Sequence, residues 1–337
     1  IENQKPMTED TIFRIYSMSK PITSAALMTL YEDGKFLLND PVERYLPELK
    51  DMGVFKSGTV EKDWTEEQRN SITILQLLTH TSGLPYGLSQ DQIPDKLVKE
   101  HELFDIHVPL QDKIPILAKI PLKFQPGEKW DYSYSVDVQG RLIEVLSGMP
   151  FDRFLQERIF VPLKMNDTAF IVPKEKKDRF AQLYAYKKDG TGLEPGEIWG
   201  TYDEQMKFLS GGGGLVATTI DYFRFAQMLL DGGVLDGARV LGRKTVDLIR
   251  TDHLTDEQCA NSNYKSGFGL GVSVRLTESR SDLGSVGTFG WGGAAGTHFW
   301  IDPKEELIGL FMVQHTKLNG RIHTQFQNLV YQALVDG

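Results

Sequence analysis

Apolar side chains recur at helical spacing in several parts of the chain. The first such segment places five apolar residues on one face: Ile22, Ala25, Ala26, Met28 and Leu30. Gly34 follows as a natural stop, because glycine adopts the left-handed conformation that ends many helices. Similar spacing predicts further helices over residues 72–80, 138–148, 151–160, 219–230 and 322–334.

The last third of the chain changes to a strand pattern. Apolar runs predict strands at 268–274, 297–301 and 307–313, and the turn at 302–305 joins the last two. A connection this short makes the two strands antiparallel neighbours. The pattern therefore predicts helical fragments in the middle of the chain, an antiparallel sheet late, and a terminal helix that covers one sheet face.

Length, composition and net charge indicate the number of domains and exclude some classes of binding partner. The chain has 337 residues, 40% of them hydrophobic and 25% charged, which is enough for about two domains of ~150 residues. A net charge of −9 argues against nucleic acid or an anionic membrane surface as partner, since either requires a basic face. No apolar run approaches the ~20 residues of a membrane span. The oligomeric state is not predicted.

Cysteine and histidine usage bears on location and on metals. Cys259 is the single cysteine, so an intrachain disulfide framework is excluded. This usage fits a reducing compartment, and we therefore favour a cytoplasmic location. The histidines stand at no metal-ligand spacing and no Cys/His cluster occurs, so we expect neither a metal nor a cofactor.

A serine and a lysine three positions apart stand at the start of the first predicted helix. One helical turn brings Ser17 Oγ and the amine of Lys20 to the same face, which places a nucleophile beside a base. The free amides and positive dipole end of a helix start also favour negative charge on an oxyanion. Taken alone, the pair is better explained as a helix-capping serine and a solvated lysine.

Two later stretches carry candidate chemistry. Tyr132, in Tyr-Ser-Tyr, comes just before a predicted helix, where its side chain can project into a cleft. The run Trp291-Gly292-Gly293 lies between hydrophobic strands, and glycines weaken a strand unless something must approach its backbone closely. Residues 211–214 are all glycine but lack the Lys-Ser/Thr of a phosphate loop, so they too indicate a close backbone approach.

In chain order, residues 17–20, 132–134 and 291–293 resemble the three motifs of the serine β-lactamase and penicillin-binding-protein superfamily. Within it the chain is most similar to the class C β-lactamase-like esterases called family VIII carboxylesterases. The similarity spans nearly the whole chain and includes residues 77–84, 124–128, 212–218 and 300–303.

The resemblance implies a β-lactamase/transpeptidase-like α/β (α+β) fold, in which helices flank an antiparallel sheet. Residues 1–40 and 211–337 are expected to form the sheet domain, and residues 41–210 a mostly helical insert. Members of the superfamily carry strands and a helix before the nucleophile. We therefore expect that the N-terminal strands of the fold are missing from this chain.

The resemblance also implies roles for individual residues. Ser17 would attack an ester carbonyl, with Lys20 and Tyr132 sharing the task of base. The ammonium favours the phenolate and burial favours neutral lysine, so both pKa values can move toward neutrality; which group holds the proton is left open. The oxyanion hole would be the backbone N–H groups of Ser17 and Ala294. Substrate contact is assigned to four residues: Tyr134, Trp291, Gly292 and Gly293.

Two departures from the superfamily pattern bear on the substrate. Trp291 stands where β-lactamases generally place a lysine for the antibiotic's carboxylate, and Tyr134 stands where the second motif usually ends in asparagine. Both predict a preference for small, neutral, short-chain esters over β-lactams.

The same machinery could open β-lactams, cleave D-amino-acid peptides or transfer acyl groups. A non-catalytic scaffold is a further alternative, although all three motifs keep chemically competent side chains.

Overall fold

The computed structural model describes residues 4–56, 65–89, 91–261, 266–278, 283–318 and 320–335. Its α-helices are α1 (Ser19–Glu32), α2 (Ile74–Leu78), α3 (Ile93–Glu100), α4 (Leu110–Leu117), α5 (Ser135–Ser147), α6 (Phe151–Leu155), α7 (Thr219–Leu230), α8 (Arg243–Ile249), α9 (Asp256–Ala260) and α10 (Arg321–Gln332). Its strands are β1 (Phe13–Arg14), β2 (Val54–Phe55), β3 (Thr65–Glu66), β4 (Tyr184–Tyr186), β5 (Leu193–Pro195), β6 (Val216–Ala217), β7 (Val234–Leu235), β8 (Ala238–Arg239), β9 (Gly267–Phe268), β10 (Ser273–Val274), β11 (Phe289–Gly292), β12 (His298–Asp302) and β13 (Leu307–Phe311).

Five antiparallel strands form the main sheet, in the order β13-β12-β11-β10-β9. β12 and β13 pair with Asp302 opposite Leu307 at the turn, which confirms the predicted hairpin. The glycine-rich segment is the central strand β11, and Gly290 lies opposite Trp300. A Cβ at Gly290 would lie 2.2 Å from the carbonyl oxygen of Phe299, so the strand does require close backbone approach.

The prediction of one strand over 268–274 is wrong. β9 and β10 occupy this segment and pair with each other antiparallel. The turn between them is closed by the Gly269 N–H, which donates to the Val272 carbonyl (2.8 Å), and Gly271 has φ +84°. Glycine adopts that left-handed backbone with no steric cost, so a run that resembles an apolar strand can turn back on itself.

Helix α1 is buried on all sides, whereas the sequence predicted one apolar face. It packs against α5. Its polar side chains are hydrogen-bonded: Thr23 Oγ1 donates to the Gly211 carbonyl and Ser24 Oγ to Gln139 Oε1, both at 2.9 Å. A buried hydroxyl must find such a partner, so these bonds fix how the segments around α1 dock.

The other predicted helices are present, some with different ends. The prediction of 219–230 coincides with α7, and α5 begins three residues before the predicted 138–148 helix. The 72–80 helix is reduced to α2 because His80 has φ +56°, which ends the helical backbone. The 151–160 helix is α6 followed by a π-helix over Gln156–Phe160.

One buried hydrophobic cluster contains residues of both predicted domains, from Phe13 near the start to Ile301 in β12. The division into a sheet domain and a helical insert therefore stays a prediction.

The C-terminal helix α10 packs against β13, as predicted. Its Tyr331 hydroxyl donates to Asp302 Oδ2 (2.7 Å), which ties the helix to the end of β12. None of the helices in the described ranges combines the length and the apolar character needed to cross a bilayer.

Candidate active site

Ser17 lies in a short turn just before α1. Residues Tyr16–Met18 form a single 3₁₀ turn, after which α1 begins. Tyr16 has φ +41°, a left-handed backbone that costs a non-glycine residue about 1–3 kcal/mol. Its side chain is buried with the ring edge-on to Tyr202 at 6.5 Å, which helps hold the turn in this conformation. Ser17 itself is half-buried, so its hydroxyl can meet a substrate.

Two side chains meet at Ser17, one from the same helix start and one from a distant part of the chain. The Tyr132 hydroxyl lies 2.8 Å from Ser17 Oγ, within strong hydrogen-bond distance. Lys20 Nζ lies 3.4 Å from the same oxygen. The sequence predicted that these three residues share a site, and the structure brings them together.

Lys20 is enclosed by hydrogen-bond acceptors. Only 1% of the residue is exposed, and its amine donates to the Gly212 carbonyl at 2.6 Å. The Tyr86 hydroxyl accepts at 3.4 Å, and Ser17 Oγ completes the set. A lysine ammonium has three donors and no acceptor, so these three oxygens match the charged form.

The pKa of Lys20 reflects the same surroundings. Burial acts to lower it, but the neighbouring Tyr132, Tyr86 and Asp137 outweigh burial and raise the pKa above its ordinary value. A raised pKa means that Lys20 is an ammonium at neutral pH. The expectation that burial moves the pKa of Lys20 toward neutrality is therefore wrong, because the interactions of Lys20 with Tyr132, Tyr86 and Asp137 outweigh burial.

A buried loop holds the segment that carries Tyr132. His80 Nδ1 accepts the Ser133 N–H at 3.2 Å and lies 2.8 Å from Ser133 Oγ, and the Ser82 and Ser135 hydroxyls are 2.8 Å apart. The His80 ring also packs against the Tyr132 ring at 4.9 Å. Burial and the Lys20 charge hold the pKa of His80 well below its ordinary value, so the ring is neutral and can accept.

The end of strand β11 lies beside the turn that carries Ser17. Gly293 passes so close to the segment before the helix that a Cβ there would lie 2.4 Å from the Ile15 carbonyl oxygen. The assignment of the oxyanion hole to the N–H groups of Ser17 and Ala294 stays a prediction. Free N–H groups at a nucleophile are the donors that an oxyanion requires.

Comparison with known proteins identifies the family. A model of the family described as Beta-lactamase matches residues 1–332. The chain belongs to the beta-lactamase family. It is a serine hydrolase with the β-lactamase fold, and the resemblance inferred from the three motifs is confirmed. The narrower assignment to the family VIII carboxylesterases stays a prediction.

Three members or neighbours of this beta-lactamase family span most of the chain. Protein Rv1367c of Mycobacterium tuberculosis is 38% identical over 320 residues, which are 92% of this chain and 79% of that protein. Esterase EstB of Burkholderia gladioli is 27% identical over 339 residues, 95% of this chain and 81% of EstB. A solved structure of EstCE1, described as a hydrolase with promiscuous acyltransferase activity, matches with a TM-score of 0.83 and 25% identity over 98% of this chain and 87% of EstCE1.

Trp291 and Tyr134 occupy different surroundings in this beta-lactamase-family site. Trp291, on β11, is half-buried and stacks on the Tyr132 ring at 5.8 Å, so it forms one wall beside Ser17. Tyr134 is completely buried, and its hydroxyl donates to the Leu103 carbonyl (3.2 Å). The prediction that the Tyr134 side chain contacts substrate is therefore wrong. The backbone of Tyr134 precedes α5, and the large apolar ring turns into the core against Phe208.

Two further groups at the site were not singled out from the sequence. Tyr86 bonds Lys20 and stands edge-on to Tyr132 at 5.0 Å. It lies two residues beyond the family-like stretch 77–84, which was the available signal. Asp137 acts on Lys20 by its charge, and its position five residues after Tyr132 gave no indication of this.

Proposed function

We propose that the protein is a carboxylesterase that hydrolyses small, short-chain esters through an acyl-enzyme on Ser17. The observation that carries the proposal is the hydroxyl of Ser17 held 2.8 Å from the Tyr132 hydroxyl and 3.4 Å from the Lys20 amine. A serine hydroxyl is a weak nucleophile until a neighbouring base removes its proton.

Tyr132 is the base in this proposal, and Lys20 stays charged. The phenolate of Tyr132 takes the proton as Ser17 Oγ bonds to the ester carbonyl carbon. The bond from that carbon to the alcohol oxygen then breaks, and Tyr132 gives its proton to the leaving alcohol. Water next attacks the acyl carbon, Tyr132 accepts a proton from it, and Ser17 departs with that proton as the acid is released.

Lys20 supports this cycle electrostatically. Its Nζ lies 4.5 Å from the Tyr132 ring centroid and bonds three oxygens, so the ammonium stabilises a phenolate without moving. The N–H groups of Ser17 and Ala294 stabilise the tetrahedral oxyanion. The loss of one such donor commonly costs ~100-fold in rate.

The aromatic wall formed by Trp291 beside Ser17 favours an uncharged substrate. The Trp291 ring stacks on Tyr132 and stands edge-on to Phe268 at 5.4 Å. Aromatic faces offer apolar area and stacking but no cation for a carboxylate. Gly292, at the end of β11, and Gly293, just after it, are assigned contacts with the ester through their backbone atoms. The names of EstB and EstCE1 add support for ester hydrolysis.

Acyl transfer to an alcohol is the second candidate, because EstCE1 is described as having such activity. It uses the same acyl-enzyme, with an alcohol in place of water. We further propose a cytoplasmic location, which the presence of only one cysteine in the sequence supports.

The test compares a chromogenic acetate ester with a chromogenic cephalosporin, using the wild type and Ser17→Ala. We expect rapid ester hydrolysis, slow cephalosporin hydrolysis and neither activity in Ser17→Ala. A clear preference for the cephalosporin, or for a D-alanyl peptide in the same assay, would contradict the ester assignment. Turnover by folded Ser17→Ala would contradict the acyl-enzyme. The same ester with added alcohol separates hydrolysis from acyl transfer by the product formed.

A further inference from the structure

A buried carboxylate lies behind the proposed catalytic residues and has no part in the cycle above. Asp137, on α5, is completely buried. Its Oδ1 accepts hydrogen bonds from Ser210 Oγ (2.5 Å) and from the Gly212 N–H (3.2 Å). Oδ2 has no hydrogen-bond partner among the described residues. A carboxylate buried in this way is costly unless cations lie nearby.

Gly212 connects this carboxylate to the site. Its N–H is bound by Asp137, and its carbonyl accepts the Lys20 amine at 2.6 Å. A Cβ at this position would lie 2.7 Å from Asp137 Oδ2 and 3.4 Å from Lys20 Nζ. The carboxylate and the ammonium therefore both lie close to the same α-carbon, where glycine leaves the needed space.

A second buried amine acts on the same carboxylate. Lys113, on α4, is 1% exposed, and its Nζ lies 4.3 Å from the Phe208 ring centroid. Burial lowers the pKa of Lys113 to about 8, opposed by the charges of Asp105 and Asp137. Burial likewise raises the pKa of Asp137, whereas Ser210, Lys20, Gly212 and Lys113 oppose that shift. The charges of both Lys20 and Lys113 therefore act on Asp137.

We propose that Asp137 is a positioning residue for the reaction: it holds the Gly212 carbonyl against Lys20 and supplies the negative charge that keeps the Lys20 ammonium in place, with Lys113 competing for the same carboxylate. The inference rests on the proposed roles of Ser17, Lys20 and Tyr132. The titratable groups around Lys20 are Tyr132, Tyr86, His80 and Asp137. Asp137 is the only carboxylate in this set.

Asp137→Asn tests the charge separately from the hydrogen bonds. The amide oxygen of asparagine can still accept from Ser210 and Gly212, so the backbone link is kept and the charge is lost. The readouts are the pH dependence of kcat/KM for a short-chain ester and the pH dependence of Ser17 labelling by a fluorophosphonate. The acidic limb of both curves reports the loss of a proton from the coupled Lys20 and Tyr132 pair.

Removal of a nearby negative charge makes that proton easier to lose. We therefore expect the acidic limb of Asp137→Asn to move to lower pH by about one unit in both readouts. An acidic limb at the wild-type pH in both would overturn the inference.

Asp221→Asn is the matched control. Asp221 is also a buried carboxylate that accepts hydrogen bonds from backbone N–H, as from Asp167 at 2.7 Å, and from a hydroxyl, that of Thr168 at 2.8 Å. No lysine is among the groups that shift its pKa. We expect the acidic limb of this variant to lie at the wild-type pH. A shift equal to that of Asp137→Asn would mean that the loss of any buried carboxylate moves the limb. That result would also overturn the inference.

A double variant keeps the test valid if Asp137→Asn does not fold. Asp137→Asn leaves the buried Lys113 with Asp105 as the remaining carboxylate that acts on it. The double variant Asp137→Asn/Lys113→Met removes both the Asp137 and the Lys113 charge. The acidic limb of the double variant should still lie below the wild-type pH, because Lys113 acts on Lys20 through Asp137. A limb at the wild-type pH would contradict this.

Ser17→Ala separates the proposed function from the proposed role of Asp137. Turnover in Ser17→Ala defeats the proposed function, whereas an inactive Ser17→Ala with an unshifted Asp137→Asn defeats the positioning role alone.

Discussion

The two walls beside Ser17 are held in different ways. The Tyr132 wall is fixed by a buried polar network, in which His80, Ser133 and Ser135 are joined by contacts of 2.7–2.8 Å. The adjoining wall is Trp291, half-buried on a strand whose neighbouring positions are glycines and held by ring contacts with Tyr132 and Phe268. Directional bonds fix an atom more tightly than ring stacking does. The first wall is therefore suited to proton transfer, and the second to accommodating different esters.

The strongest test of this contrast is Tyr132→Phe. The variant keeps the ring and its packing but removes the hydroxyl that lies 2.8 Å from Ser17 Oγ. We expect kcat to fall ~100-fold or more with little change in KM, because general-base assistance is lost while the binding wall remains. Steady-state kinetics on an acetate ester provide the measurement. A wild-type kcat would remove Tyr132 from the mechanism.

His80→Asn weakens the hydrogen bonding that holds the segment carrying Tyr132. Asparagine tolerates the φ of +56° at this position, so the backbone should be kept while the acceptor for the Ser133 N–H is lost. A misplaced Tyr132 should lower kcat between about 10- and 100-fold. Ser82→Ala is the control, because it breaks the neighbouring hydroxyl contact to Ser135 and leaves His80 in place. An equal fall in both variants would show a loss of general stability and not a loss of Tyr132 placement.

Trp291→Lys changes the second wall. A cation here would receive a substrate carboxylate, so the ratio of cephalosporin to ester hydrolysis should rise about tenfold, which corresponds to a charge-assisted hydrogen bond of about 1.5 kcal/mol. Trp291→Phe keeps an aromatic face without the cation and should leave the ratio unchanged. The ratio is obtained by measuring kcat/KM for both substrates in each variant. An unchanged ratio in the lysine variant would mean that Trp291 does not set substrate charge.

The smallest expected effect concerns stability and pH. Burial holds the pKa of His80 well below its ordinary value and lowers that of His298 to about 4. As the pH falls below about 6.5 the unfolded chain binds protons that these folded rings do not, so the free energy of unfolding decreases by at most about 1.4 kcal/mol per pH unit for each group. Urea unfolding at several pH values should show a shallower decrease in His80→Asn. An identical slope would mean that His80 is protonated in the folded protein.

The sequence was sufficient to predict the residues that lie in motifs. Ser17, Lys20 and Tyr132 meet as predicted, because the motif spacing on α1 and the position before α5 determine where their side chains point. Tyr86 and Asp137 could not be found in this way, since their contacts with Lys20 depend on how loops distant in sequence dock.

The errors have physical reasons as well. Gly271 turns a predicted strand into a hairpin, because nothing in an apolar pattern distinguishes a glycine in a strand from one with φ +84°. Tyr134 fits the motif position of a substrate-binding residue, but its ring is large and apolar enough to be buried in the core, and its hydroxyl finds the Leu103 carbonyl there. Helix α1 is buried on every side because its polar residues bond to other segments, which periodicity alone does not reveal.

The central claim is that the hydroxyl of Ser17 becomes covalently bonded during turnover. The most direct measurement is peptide mass spectrometry of the intact, folded protein after reaction with a fluorophosphonate. The account predicts one adduct on the peptide that contains Ser17, which is lost in Ser17→Ala. An unmodified Ser17 peptide, or an adduct on another residue with equal loss of esterase activity, would contradict it.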